Sequence, residues 1–144
     1  MRDDTMTEQA LRQMPHAGTM RLLAEVLSAD PDRIRCRATD HRAAGYPLRI
    51  AGVLHAAALV EIGAQAAAAH ASLHAIGAAH TGLVLTLGNV VLARGTVGDD
   101  GPLTARAERI AAHDAAASYR FEVADDAGCI VSGELLLSMQ RSGT

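Results

Sequence analysis

The run from Ala51 to Ala79, AGVLHAAALVEIGAQAAAAHASLHAIGAA, constrains this chain more than any other segment. Its Ala, Leu, Glu and Gln content favours helix strongly. The spacing predicts one helix from about His55 to Ile76, ending at Gly77, where a left-handed cap fits. Such a helix is apolar nearly all round, so it cannot lie on a surface and must be wrapped by other elements. It is not a membrane span, because His55, Glu61 and Gln65 interrupt it and alanine is only weakly hydrophobic.

The rest of the chain supplies the wrapper. MRLLAEVLSAD and DRIRCRAT read as two strands of a hairpin joined at Ala29-Asp30-Pro31-Asp32. In the second, Ile34, Cys36 and Ala38 alternate with Arg33, Arg35 and Arg37, the period of a strand with one wet and one buried face. Residues 40 to 54 carry Gly45, Pro47 and Gly52 and are predicted as a long loop. After the helix, TGLVLTLGNVVLARGTV, PLTARAERIAAH, AASYRFEVAD and CIVSGELLLSM give four more strands, separated by Gly-, Asp- and His-containing breaks. Residues 1 to 13 are irregular or form a short helix that Thr7 caps. With 144 residues there is one domain, spanning 1–144, and no second to explain. The economical architecture is α+β: one long central helix wrapped by a curved antiparallel sheet of about six strands.

Several chemistries drop out. All 13 basic residues are Arg, and a chain without Lys has no Schiff-base amine and no P-loop lysine. A net charge of −3 offers no basic field for nucleic acid. Cys36 and Cys129 are far apart and lack metal-type spacing, so neither a zinc site nor a disulfide framework is indicated, and a reducing cytoplasm fits best. The start, MRDDTMTEQALRQ, has no apolar stretch of the secretory kind. Membrane insertion is not expected.

From Ile50 to Ala69 the one charged side chain is Glu61. Burying an unpaired carboxylate costs several kcal/mol, so Glu61 is expected to be paired, protonated or functional. Gln65 lies one turn later on the same face, about 40° round. Desolvation would prepare Glu61 for general acid or base work. The structural alternative is an ion pair with Arg49 or Arg94. The helix start, Ile50-Ala51-Gly52-Val53-Leu54, offers no capping side chain, leaving backbone donors for an oxyanion, for water or for a distant carbonyl. Of the seven histidines, His70 and His74 have paired-ligand spacing but no third ligand, and are read as ordinary polar positions. His80 and His113 sit in turn-like sequences. His55 opens the helix, and His41 and His16 can both fold back toward its N-terminus.

These segments resemble the β-hydroxyacyl-ACP dehydratase family. Pro15-His16-Ala17-Gly18-Thr19-Met20 is similar to the family's Pro-His lead into its first strand. Val60-Glu61-Ile62-Gly63-Ala64-Gln65 is similar to its Glu-x-x-Ala-Gln block, and LTLGNVVLARGTVGDDGPLTARAERI to its third strand, turn and fourth strand. The likeness is closest to the 3-hydroxyacyl-ACP dehydratase branch found with aryl-polyene-type pathways, and covers residues 14 to 139. It implies a hotdog fold, dimers whose sheets join edge to edge, cofactor-free dehydration of acyl-ACP or acyl-CoA substrates, and no metal. By the same resemblance Glu61 is the helix acid and Gln65 its neighbour, and Gly52 with Val53 is the turn that holds the thioester carbonyl.

One motif departs. Where the family has Gly-His-Phe-Pro, this chain has Gly45-Tyr46-Pro47-Leu48, so the base must be His41 from the same loop or His16 from the strand start. Tyr46 suits an acid better than a base. The alternative is a non-catalytic hotdog subunit that binds acyl chains or partners an active dehydratase, as a heterodimer rather than a homodimer. A hotdog thioesterase, in which a helix carboxylate activates water, is the lesser third reading.

Overall fold

A computed structural model describes residues 4–12, 20–74, 79–113 and 115–141. The order of elements is α1 (Asp4–Arg12), β1 (Leu23–Ala29), β2 (Arg33–Ala38), a 3₁₀ turn (Ala56–Leu59) running into α2 (Val60–Leu73), then β3 (Ala79–Leu92), β4 (Thr104–His113), β5 (Ala116–Asp125) and β6 (Gly128–Arg141). The strands form one six-stranded sheet in the order β1-β2-β4-β5-β6-β3, every neighbouring pair antiparallel. This is the expected α+β arrangement, and its strand order leaves β3 at one free edge.

No residue of α2 is fully exposed. Ile62, Gly63, Gln65, Ala66, Ala67, Ala69, His70 and Ala71 are buried, so the sheet wraps the helix as its all-round apolar surface requires. The fit depends on small side chains. A β-carbon at Gly63 or at Gly133 on β6 would run into the ring of Phe121, which projects from β5 into the gap between helix and sheet. On β2 the alternation holds as read: Ile34, Cys36 and Ala38 face the core while Arg33, Arg35 and Arg37 are exposed.

Four local expectations are corrected. The helix begins as a 3₁₀ turn and its α-helical part ends at Leu73, with His74 as C-cap; Gly77 lies outside the described residues. Thr7 does not cap α1, which starts at Asp4; its Oγ1 accepts the Val26 amide at 2.9 Å and ties α1 to β1. His80 and His113 belong to strands β3 and β4 rather than to turns. His70 is not an ordinary polar position but is fully buried, and both its ring nitrogens are engaged. Nε2 donates to the Asp30 carbonyl at 2.8 Å, which leaves Nδ1 as acceptor for the Tyr119 hydroxyl at 2.7 Å. The ring therefore joins α2 to β5 and to the β1–β2 turn, and neither nitrogen has a lone pair left for a metal.

Two predictions follow from this packing. Gly63→Ala has no room beside Phe121 and is expected to lower stability by about 1–3 kcal/mol, read from the urea midpoint at unchanged slope. Burial pushes the His70 pKa down from 6.5 to about 4. The unfolded chain therefore takes up a proton first as the pH falls, so this contribution is complete above pH 6.5 and disappears toward pH 4. Urea unfolding is expected to show wild type losing about 2–3 kcal/mol over that interval beyond what His70→Gln loses.

Candidate active site

Two groups of residues come from different parts of the fold. The first sits on α2. Gln65 is buried and saturated: its Oε1 accepts the Leu22 amide at 2.8 Å, and its Nε2 donates to the Met20 carbonyl at 2.8 Å. The same amide nitrogen lies 3.4 Å from Glu61 Oε1. Glu61 and Gln65 thus project together as their spacing predicts, and Gln65 also fixes the entry to β1 beneath them. Glu61 is half-buried rather than sealed in a dry interior, so the expected full desolvation is not present in the single chain. Neither cation proposed for it is its partner. Arg94 forms a two-pronged pair with Asp125 at 2.6 and 2.9 Å, holding that carboxyl below its usual range, and Arg49 binds backbone carbonyls.

The second group lies in the loop of residues 39–54. His41 is fully buried, and its Nε2 donates to the Gly98 carbonyl at 3.0 Å. In the neutral ring, Nδ1 then carries the lone pair, and this buried nitrogen meets no hydrogen-bond partner among the described residues. The His41 carbonyl accepts from Arg49 Nη2 at 2.8 Å, while Arg49 Nη1 reaches the Gly52 carbonyl at 3.3 Å. One guanidinium therefore ties the candidate base to the candidate carbonyl-binding turn. That role for Arg49 was not read from the sequence; its position as a cation within a loop of unsatisfied carbonyls was the available signal. Tyr46 is also buried, and burial raises its hydroxyl pKa against the opposing effects of Thr39 and Arg49.

The turn itself is a tight hairpin. Ile50 and Val53 exchange both backbone hydrogen bonds, at 2.8 and 2.9 Å, with Ala51 at φ 50° and Gly52 at φ 79° between them. Glycine suits the left-handed position, and alanine occupies its neighbour at some strain. The Val53 amide is consequently committed to Ile50, which leaves Gly52 as the member of the pair whose amide donates to no carbonyl among the described residues. The helix start is not open either. The Ala56 amide donates to the Gly95 carbonyl at 2.9 Å and the Val97 amide to the Leu54 carbonyl at 2.9 Å, so a distant backbone segment caps the helix. His55, at the N-cap, is exposed and makes no side-chain cap. Among the described residues no hydrogen bond or ion pair joins His41 to Glu61. His16 lies outside the described residues.

With this geometry in place, the chain can be set beside known proteins. Residues 9–141 match the ApeP-like family model, described as ApeP dehydratase. The chain belongs to this family. A search of curated proteins finds no match to the ApeP-like chain. Among solved structures, the dehydratase heterocomplex ApeI:P from Xenorhabdus doucetiae superposes with a TM-score of 0.77 at 18% identity, covering 93% of this chain and 92% of that one. A thioesterase from Haemophilus influenzae gives 0.64 at 20% identity over 83% and 80%. A putative esterase from Mycobacterium tuberculosis gives 0.65 at 16% identity over 87% and 95%. At these identities the likeness speaks for the fold, which is the hotdog fold, and the family match identifies the ApeP-like chain as a hotdog dehydratase-like protein.

Gln65 offers a direct test of this construction. Gln65→Leu keeps the volume but leaves the Leu22 amide and Met20 carbonyl without their partner, and is expected to cost about 1–3 kcal/mol in urea unfolding.

Proposed function

We propose that this ApeP-like protein dehydrates 3-hydroxyacyl thioesters, delivered on an acyl carrier protein or coenzyme A, as one subunit of an edge-to-edge hotdog dimer. The observation that carries the reading is His41: a buried imidazole whose Nε2 is held by a backbone carbonyl and whose Nδ1 lone pair is unengaged among the described residues. A buried nitrogen left unpaired is costly, and a general base is a reason to keep one.

The steps use this chain's own groups. Nδ1 of His41 takes the α-proton, and the electron pair moves into the new C=C bond as the β-hydroxyl leaves. Glu61, arriving from the other subunit, gives that hydroxyl its proton so that it departs as water. The Gly52 amide steadies the thioester oxygen as negative charge develops there. Arg49 holds His41 and Gly52 in register, and Gln65 does the same for Glu61. No cofactor is called for.

The dimer has support in the sheet. β3 is a free edge, and Leu87, Val91 and Leu92 along it are 46–61% exposed, an unusual concentration of apolar side chains for an open strand. Partnering with another hotdog subunit is the second reading. It is favoured by the missing Gly-His-Phe-Pro loop and by a structural neighbour that is itself a dehydratase heterocomplex. Thioester metabolism suits the cytoplasm, where the free thiols of Cys36 and Cys129 would persist. No helix among the described residues is long and apolar enough to cross a membrane.

The purified protein is expected to interconvert a short trans-2-enoyl-CoA and its 3-hydroxyacyl-CoA. Glu61→Gln and His41→Ala should each lower kcat by about 10²–10⁴-fold. Failure of the wild type to turn over any chain length, on CoA or on carrier protein, alongside an active dehydratase, overturns the enzymatic reading. Activity restored only by mixing with a second hotdog subunit selects the partner-subunit reading.

A further inference from the structure

The outer face of the sheet, opposite α2, carries a checkerboard of charge that fails in one row. Across β2, β4, β5 and β6, Arg33, Glu108, Arg120 and Glu134 stand in register and alternate in sign, with ion pairs of 3.7, 3.8 and 3.7 Å between successive members. On the other side, Arg37 pairs with Glu25 across β1–β2. The row between reads Ser28, Arg35, Arg106, Glu122: Ser28 opposes Arg35, Arg35 opposes Arg106, and Arg106 opposes Glu122. Two like charges are therefore direct cross-strand neighbours, an arrangement that is destabilising by itself. Neither the Arg35 nor the Arg106 side chain has an ion-pair or hydrogen-bond partner among the described residues, whereas those of Arg33, Arg37 and Arg120 on the same face all do. Two open recesses meet at this row, both lined by Arg35, Arg106 and Glu122; one, of about 240 Å³, reaches Ser28 and the mutually paired Arg33, Glu108 and Arg120, and the other reaches Thr104, Asp125 and Asp126.

We propose that Arg35 and Arg106 form an anion site for a phosphate monoester dianion, with the Ser28 hydroxyl as a further donor. Two planar guanidinium groups from adjacent strands supply paired N–H donors to a tetrahedral oxyanion, which a single carboxylate uses less fully. The dianion also removes the repulsion that the register creates. Of the acids lining the two recesses, Glu108 and Asp125 are held in ion pairs with other arginines, while Glu122, directly opposite Arg106, and Asp126 oppose the ligand and limit its affinity. The site lies on the far side of the sheet from Glu61 and is independent of the dehydratase reading.

The test is titration of the intact protein with inorganic phosphate at constant ionic strength, following the backbone amide shifts of Arg35 and Arg106 by NMR. Glycerol phosphate and acetate serve as comparison ligands. Saturable shifts are expected at this row, with binding weakened about tenfold or more by Arg35→Gln or Arg106→Gln and less than about twofold by Arg33→Gln. Glu122→Gln is expected to tighten binding about three- to fivefold. Melting without phosphate checks folding: Arg35→Gln and Arg106→Gln should melt no lower than wild type, and both should gain less stability than wild type when phosphate is added. Glycerol phosphate binding as well as phosphate supports a monoester ligand; binding of phosphate without the ester overturns that class. Linear, unsaturable shifts, an equal loss in Arg33→Gln, or acetate binding as tightly as phosphate would each overturn the site.

Discussion

Close approach between one helix and one sheet underlies the rest of this molecule. A six-stranded sheet can curve around α2 only if the helix surface is thin, and Gly63, Ala66, Ala67 and Ala69 make it thin. The space that remains is filled by Phe121, seated between Gly63 and Gly133. Dense interiors of this kind transmit displacement instead of absorbing it, so every residue on α2 has a fixed position relative to the strands. Glu61 inherits that rigidity. The catalytic role proposed for Glu61 calls for such positioning, which a wrapped helix provides and an exposed loop does not.

Polar side chains inside the molecule act mostly as ties between backbone segments that no strand or helix would otherwise join. Gln65 links α2 to the Met20–Leu22 entry of β1, His70 links it to the Asp30 turn and to Tyr119, and Arg49 spans the loop from His41 to Gly52. In each case a side chain satisfies carbonyl or amide groups that lack partners in regular structure. Beside these saturated groups, the Nδ1 of His41, like the Tyr46 hydroxyl and Arg21 Nε, is buried without a hydrogen-bond partner among the described residues. The contrast between His70, with two engaged nitrogens, and His41, with one, separates a structural histidine from a candidate base.

The two faces of the sheet obey different rules. Toward α2 the constraint is volume, and the residues packed there are mostly apolar. Toward the outside it is charge, and rows of alternating sign give the strands a register-dependent pairing energy. The Arg35–Arg106 neighbours depart from that pattern at the place where two recesses meet.

The sequence by itself determined the wrapped helix, the strand order along the chain, the inward and outward faces of β2 and the pairing of Glu61 with Gln65. All of these follow from local composition or from periods of 2 and 3.6 residues, which neighbouring positions encode directly. It also carried the resemblance that the family match supports. Tertiary structure alone decided which long-range partner each polar group meets. That Gly95 caps the helix, that Arg94 belongs to Asp125, that Val53 is committed to Ile50 and that His70 is buried against Tyr119 are facts about segments far apart in the chain or about the exact closing of a turn. No local pattern specifies them, because each depends on how the sheet curves around its helix before the partners come within reach.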